Sequence, residues 1–150
     1  MASVDDPRRQ FDFWIGEWDV HTPEGRLAGR NVITAIVEGH GLREEWRGAG
    51  GLTGTSLNAW SDERQVWHQT WIDSSGTLLL LDGGLRDGAM VIEGDGRSDD
   101  GRAVRHRITW STVEGDPDRL RQHWEMSDDA GRTWETAFDG RYERVEPKPG

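Results

Sequence analysis

Read for the alternation of apolar and polar positions, the chain predicts strands almost throughout. In residues 42–47 the set Leu42, Glu44, Trp46 alternates with Arg43, Glu45, Arg47, and a period of two puts the first set on the inward face of a strand. Leu120, Gln122, Trp124 and Met126 form a second inward row, and Val104, His106, Ile108 and Trp110 a third. In residues 134–142 the inward set is Trp134, Thr136, Phe138, Gly140 and Tyr142. Residues 66–73 read two ways, with Trp67, Gln69 and Trp71 on one face and Val66, His68, Thr70 and Ile72 on the other. The indole face is assigned inward.

Clusters of Gly, Asp, Ser and Pro break the pattern at 22–25, 38–41, 48–51, 61–64, 73–76, 86–88, 98–101, 114–117 and 128–131. Nine turns imply about ten strands. No window from residue 20 onward sustains a helical period, so the only helix expected is a short one at the N-terminus. There Asp5-Asp6-Pro7 caps and opens a turn through Phe11, and Phe11, Trp14 and Ile15 pack on one side. A short apolar helix before a ten-strand meander predicts an all-β, antiparallel, up-and-down barrel with a helical plug, closure being how such a sheet removes its edges. One domain is expected over residues 1–150, ordered from about 7 to 145, with a frayed tail over 146–150.

Composition sharpens this picture. Leu, Ile, Val and Phe make up about 19% of the chain, net charge is −10 and mean hydropathy −0.81, values near the border of disorder. Nine tryptophans argue for a folded core instead, because each indole can bury on the order of 150–250 Å². Zero cysteines exclude disulfides, thiolate catalysis and Cys-based metal sites. The acidic balance argues against nucleic acid and anionic membranes as partners. No apolar stretch is long enough for a membrane helix and the first ten residues are too charged for a secretory leader, so a cytoplasmic location is expected.

The chemistry lies in a recurring pair, an indole sharing a face with an isolated polar side chain two or four positions away: Glu44 with Trp46, Asn58 with Trp60, Gln69 with Trp71, His106 with Trp110, Gln122 with Trp124. Buried polar groups need partners, supplied by each other, by water or by a ligand. A mixed interior of this kind predicts a cavity for a small, largely apolar and aromatic or polyene ligand. Trp46, Trp71, Trp110 and Trp124 would form its walls, and Glu44, Asn58, Gln69, His106 and Gln122 would orient the ligand's polar end. Three alternatives stay open. One is an enzyme using Glu44, its pKa raised by burial, as general base with His68 or His106 assisting. Another is haem held by His68, His106 or His123. The last is a filled core serving structure or dimerisation, an outer barrel face being able to support a homodimer. The five histidines show no metal-ligand spacing, and no metal or other cofactor is expected.

Residues 11–20, Phe-Asp-Phe-Trp-Ile-Gly-Glu-Trp-Asp-Val, carry a Gly-x-Trp motif at Gly16-Glu17-Trp18 that resembles the signature of the lipocalin and calycin superfamily. There the Trp closes the barrel floor beneath an Arg from the end of the last strand, a role the resemblance gives to Arg141 or Arg144. Together with residues 67–73 and 127–134 the chain is similar to the DUF1579-type bacterial lipocalin-like proteins of unknown function, over roughly residues 11–144. The resemblance implies a calycin-type barrel with an internal pocket and no settled activity. Residues 127–134 also fit an Asp-box, Ser-x-Asp-x-Gly-x-Thr-Trp. A single copy is read as hairpin chemistry, with Asp129 bonding turn amides, Gly131 at positive φ and Trp134 under the turn.

Overall fold

The computed structural model describes residues 6–146. Ten strands follow one another: β1 (Gly16–His21), β2 (Leu27–Ile36), β3 (Gly41–Gly48), β4 (Thr53–Ser61), β5 (Val66–Asp73), β6 (Leu78–Arg86), β7 (Ala89–Arg97), β8 (Ala103–Val113), β9 (Asp116–Ser127) and β10 (Glu135–Arg144). Each pairs antiparallel with its sequence neighbours, and β1 pairs β10 through Trp18↔Arg144 and Val20↔Tyr142, which closes the barrel. The expected all-β, up-and-down barrel is the observed fold, and the nine turn clusters lie at its strand joints. Two of them are two-residue turns with both residues at positive φ, Asp87-Gly88 and Glu114-Gly115, the geometry that matches the twist of paired strands.

The N-terminal helix is realised as two short 3-10 turns, Pro7–Arg9 and Asp12–Trp14. Asp6 caps the first by accepting the Arg8 backbone N–H at 3.0 Å, and Pro7 sits where a missing N–H costs nothing. Asp5 and the tail beyond Glu146 fall outside the described residues. Side chains staple this plug into the barrel. The Trp67 indole donates to the Pro7 carbonyl at 3.1 Å and the Trp18 indole to the Trp14 carbonyl at 2.9 Å. Arg144, not Arg141, lies over Trp18 at 4.2 Å, and donates to the Ile15 carbonyl. Arg141 instead pairs with Asp139 on the outer face. Gly16 has φ +142, and a Cβ there would stand 2.3 Å from the Arg144 guanidinium, so the Arg144 position and the glycine of Gly-x-Trp require each other.

Inward side chains fall into three layers. At the plugged end Phe11, Trp14, Trp18, Trp67 and Trp110 are buried with Leu42, Met90, Ile92 and Leu120. Two residues further along several strands comes a polar belt of Asn31, Glu44, Ser56, Asn58, Gln69, Gln122 and Tyr142. Two residues beyond that stand Trp46, Trp71 and Trp124. Successive inward residues on a strand lie roughly 7 Å apart, so the spacing Leu42, Glu44, Trp46 and its counterparts Trp67, Gln69, Trp71 and Leu120, Gln122, Trp124 stack into these layers.

One inward assignment is corrected. Thr136 and Trp134 face outward, because the ladder between β9 and β10 shifts register between Thr136 and Phe138, with Ala137 as the extra residue. Thr136 meets His123 on the outer surface, and the Trp134 ring lies under the Arg107 guanidinium at 3.9 Å. The 127–134 hairpin is built as the motif implied. Asp129 accepts the Thr133 N–H and hydroxyl, which hold its carboxyl down at about 2, and Gly131 has φ +86 against Trp134. Outside the barrel, Leu57, Ile72, Leu78 and Leu80 are exposed on the neighbouring strands β4, β5 and β6. No helix among the described residues is long and apolar enough to cross a membrane.

Candidate functional site

The end of the barrel opposite the plug holds a cavity of about 310 Å³, at the low end of small-molecule sites. Its walls are Trp46, Trp71, Trp124 and Phe138 with Leu79 and Ile108, its floor is formed by Glu44, Gln69 and Gln122, and its rim includes Leu52 and Asp73. Trp46 and Phe138 meet edge to face at 6.0 Å.

Glycines keep this end from filling. A Cβ on Gly54 would lie 2.2 Å from the Trp71 ring, one on Gly29 would lie 2.7 Å from the Trp46 ring, and one on Gly140 would lie 2.7 Å from the Phe138 ring. Each ring therefore covers bare backbone and lies against the wall. Replacing Gly54 by Val is expected to force the Trp71 ring into the lumen. Overpacking of this kind should lower the unfolding free energy by about 1–3 kcal/mol and remove most dye binding, read by denaturation and by titration with an uncharged naphthylamine dye. Unchanged stability and binding would show that the ring does not depend on the glycine.

The floor is one continuous hydrogen-bonded belt. Gln69 Nε2 donates to Asn58 Oδ1 (2.8 Å), Asn58 Nδ2 to Ser56 Oγ (2.9 Å) and the Ser56 hydroxyl to Glu44 Oε1 (2.7 Å). From the other side Asn31 Nδ2 donates to both Glu44 Oε2 and the Tyr142 hydroxyl (2.8 Å each), and that hydroxyl donates to Gln122 Oε1. Glu44, 4% exposed, is thus the acceptor on which both arms converge. Burial pushes its carboxyl pKa up, and the hydrogen bonds from Ser56 and Asn31 only partly offset this. Burial, reinforced by the nearby Glu44 charge, also holds the Tyr142 hydroxyl well above its ordinary value. At the rim the balance is opposite. Burial raises Asp73, but bonds from Ser75, Trp71 and Thr77 together outweigh it and keep its carboxylate below the usual range.

Six of the nine expected ligand-binding residues, Glu44, Trp46, Gln69, Trp71, Gln122 and Trp124, line the cavity. Three do not. Trp110 is fully buried at the plugged end, 5.1 Å from Phe11 and 5.2 Å from Trp14, so it is core and not wall. Asn58 stands behind the floor and holds Gln69. His106 stands behind the wall, where its Nδ1 accepts the Trp124 indole N–H at 3.0 Å; this places its proton on Nε2, and burial lowers its pKa and keeps the ring neutral.

His68, a candidate assistant to Glu44, is on the outer face. Its Nδ1 lies 2.8 Å from Asp82 and its Nε2 2.8 Å from the Thr70 hydroxyl, so it cannot serve a reaction inside the barrel. His123 is outside as well, against Thr136 and Glu125. Of the three histidines considered for haem only His106 points inward, and its Nε2 faces Gly96, where a Cβ would stand 2.6 Å away. Among the described residues no group of three His, Asp or Glu side chains is placed to hold a metal ion.

Asn31, Ser56 and the polar role of Tyr142 escaped the sequence reading. Asn31 lies between Arg30 and Val32, its same-face neighbours along the strand are Gly29 and Ile33 with no indole among them, and Ser56 carries no distinctive signal. Inward glycines two positions from a polar residue, Gly29 before Asn31 and Gly54 before Ser56, were the available sign. Compared with protein-family models and with curated proteins, the chain matches none.

Proposed function

We propose that the barrel binds a small, flat, largely apolar molecule in the Trp-lined cavity, its one polar end resting on Glu44, Gln69 and Gln122. The observation that carries this reading is the division of the interior. The plugged half is packed with five aromatic rings, whereas the other half has rings laid against its walls over glycines and a cavity of about 310 Å³ between them. A protein that needed only a core would fill both halves, since empty volume costs stability. The position of Arg144 over Trp18 beside Gly16 supports the further reading of the chain as a calycin-type, DUF1579-like barrel.

Binding is tested with N-phenylnaphthylamine, an uncharged dye whose emission rises in apolar surroundings. Saturable enhancement at one site per chain is expected, and it should disappear in Ala28→Phe, which fills the cavity from its wall without touching the belt. Equal enhancement in both proteins, or none in the wild type, would overturn the assignment. The enzymatic alternative rests on Glu44 alone, because His68 is outside the barrel and His106 is tied behind Trp124.

A further inference from the structure

The cavity carries a charge preference. Among the described residues its lining side chains include two carboxyl groups, Glu44 in the floor and Asp73 at the rim, and no Lys, Arg or His. Four aromatic faces surround the same space, Trp46, Trp71, Trp124 and Phe138. The chain as a whole has a net charge of −10. An anion entering here would be set against two acids with no countercharge, whereas a cation meets a carboxylate and the negative faces of aromatic rings.

The belt's hydrogen-bond directions point the same way. Gln69 commits its Nε2 to Asn58, which leaves the carbonyl oxygen Oε1 for the cavity. Both Glu44 oxygens receive hydrogens from the belt, and neither bond supplies a positive charge. A buried carboxylate held only by neutral donors is short of a cation.

Resting on the binding reading above, we propose that the ligand is an organic cation: a protonated amine attached to a flat apolar body, with the ammonium on Glu44 and Gln69 and the body between Trp46, Trp71 and Trp124. The three ammonium hydrogens find the Glu44 carboxylate and the Gln69 carbonyl oxygen, and the adjacent methylene lies against indole faces. The arriving charge favours the ionised form of Glu44 and offsets the penalty that burial places on its carboxylate. No other charged side chain interferes from the packed strands. On β2 and β3 the charged residues Arg30, Arg43, Glu45 and Arg47 alternate outward, and β4 carries none. On β5 the only titratable residues are His68, which faces out, and the rim Asp73. On β9 and β10 Arg121, Asp139 and Arg141 form an outer-face ion-pair cluster, and Tyr142 is the one titratable group facing Glu44 across Asn31.

Three probes sharing one ring system separate the possibilities: naphthylmethylamine, naphthylmethanol and naphthoate, titrated calorimetrically into the full chain at neutral pH. The amine is expected to bind about tenfold more tightly than the alcohol, and naphthoate not at all, the preference being of the size that a desolvated cation–π and carboxylate contact supplies. In Glu44→Gln the ratio of amine to alcohol affinity should fall to about one. Should that variant fail to fold, the wild type gives an independent reading. In the wild type the ratio of amine to alcohol affinity should rise between about pH 5 and pH 8, because an ammonium is favoured by the ionised Glu44 and the alcohol is indifferent to it. Alcohol binding as tight as the amine, binding of naphthoate, or an amine-to-alcohol ratio that does not change with pH overturns the cation proposal while leaving the cavity a binding site. If none of the three probes nor the uncharged dye binds, the binding reading fails and this proposal with it.

Discussion

Replacing Trp14 by Ala is expected to remove about 3–5 kcal/mol of unfolding free energy, a large share of the roughly 5–15 kcal/mol available to a domain. Trp14 is fully buried, stacked on Phe11 at 4.7 Å and tilted against Trp110 at 5.2 Å. The loss is one of volume and ring contact. Among the described residues its indole N–H closes no regular hydrogen bond, although it approaches the Tyr142 hydroxyl, which keeps its bonds to Asn31 and Gln122 after truncation, and the bond to the Trp18 indole uses the Trp14 backbone carbonyl and survives. Trp71→Ala should cost less than half as much, because that ring already has one face on the cavity and its removal opens a space that exists. Urea denaturation of both variants checks the comparison. The layered interior further implies that Trp14→Ala, studied where it is still folded, binds the uncharged dye with wild-type affinity, since the plug and cavity lie at opposite ends. Equal losses for the two tryptophans, or loss of dye binding in Trp14→Ala, would contradict the division into a filled half and an open half.

That division was only partly legible in the sequence. Period-two alternation and turn spacing are local, so the ten strands, their inward faces and the pairing of indoles with polar residues all followed from residues two to ten apart. Glu44 beside Trp46 and Gln69 beside Trp71 were visible in this way. Closure was needed to show that the polar members meet. Asn31 reaches Tyr142 across 111 positions of chain, and no local pattern pairs them. The depth of each indole was equally hidden. His106 and Trp110 share a face, yet Trp110 belongs to the plugged end and His106 to the open one, because the strand runs the length of the barrel. One bulged residue, Ala137, was enough to reverse Thr136 and Trp134, since an inserted residue flips every side chain beyond it. The choice of face for His68 rested on the indoles of its strand, and following that choice through would have removed it as a partner for Glu44.

The belt should be the second most sensitive part of the molecule, and in a pH-dependent way. Asn31 is fully buried and gives one amide nitrogen to both Glu44 and Tyr142. Asn31→Leu keeps the volume and also removes an unpartnered buried acceptor, Oδ1, so its cost comes from what it leaves behind. Tyr142 can still donate to Gln122, but Glu44 is left with Ser56 alone. The Asn31 bond favours the charged form of Glu44, so losing it pushes a carboxyl already above its unfolded value of 4.5 higher still. A carboxyl raised on folding contributes its stability fully below the unfolded value and loses it as the pH climbs through the folded one. At pH 4.5 Asn31→Leu should therefore cost only about 0.5–1.5 kcal/mol, the worth of a neutral hydrogen bond, and the loss should grow to ~1.5–3 kcal/mol by pH 8.5, where the bond was to a charged group. Asp139, held at about 2 by Arg121 and Arg141, and Asp129 destabilise the fold through protonation below their unfolded value of 3.8, outside the window from 4.5 upward, and His106, lowered by burial, and Asp12, raised by it, are common to both proteins and cancel in the difference. Denaturant unfolding of wild type, Asn31→Leu, Glu44→Gln and the double variant across this range is the measurement, the double variant being compared with Glu44→Gln. The pH-dependent part of the loss should vanish in the double variant, and a penalty constant with pH in the single variant would show that Asn31 acts on packing and not on the Glu44 charge.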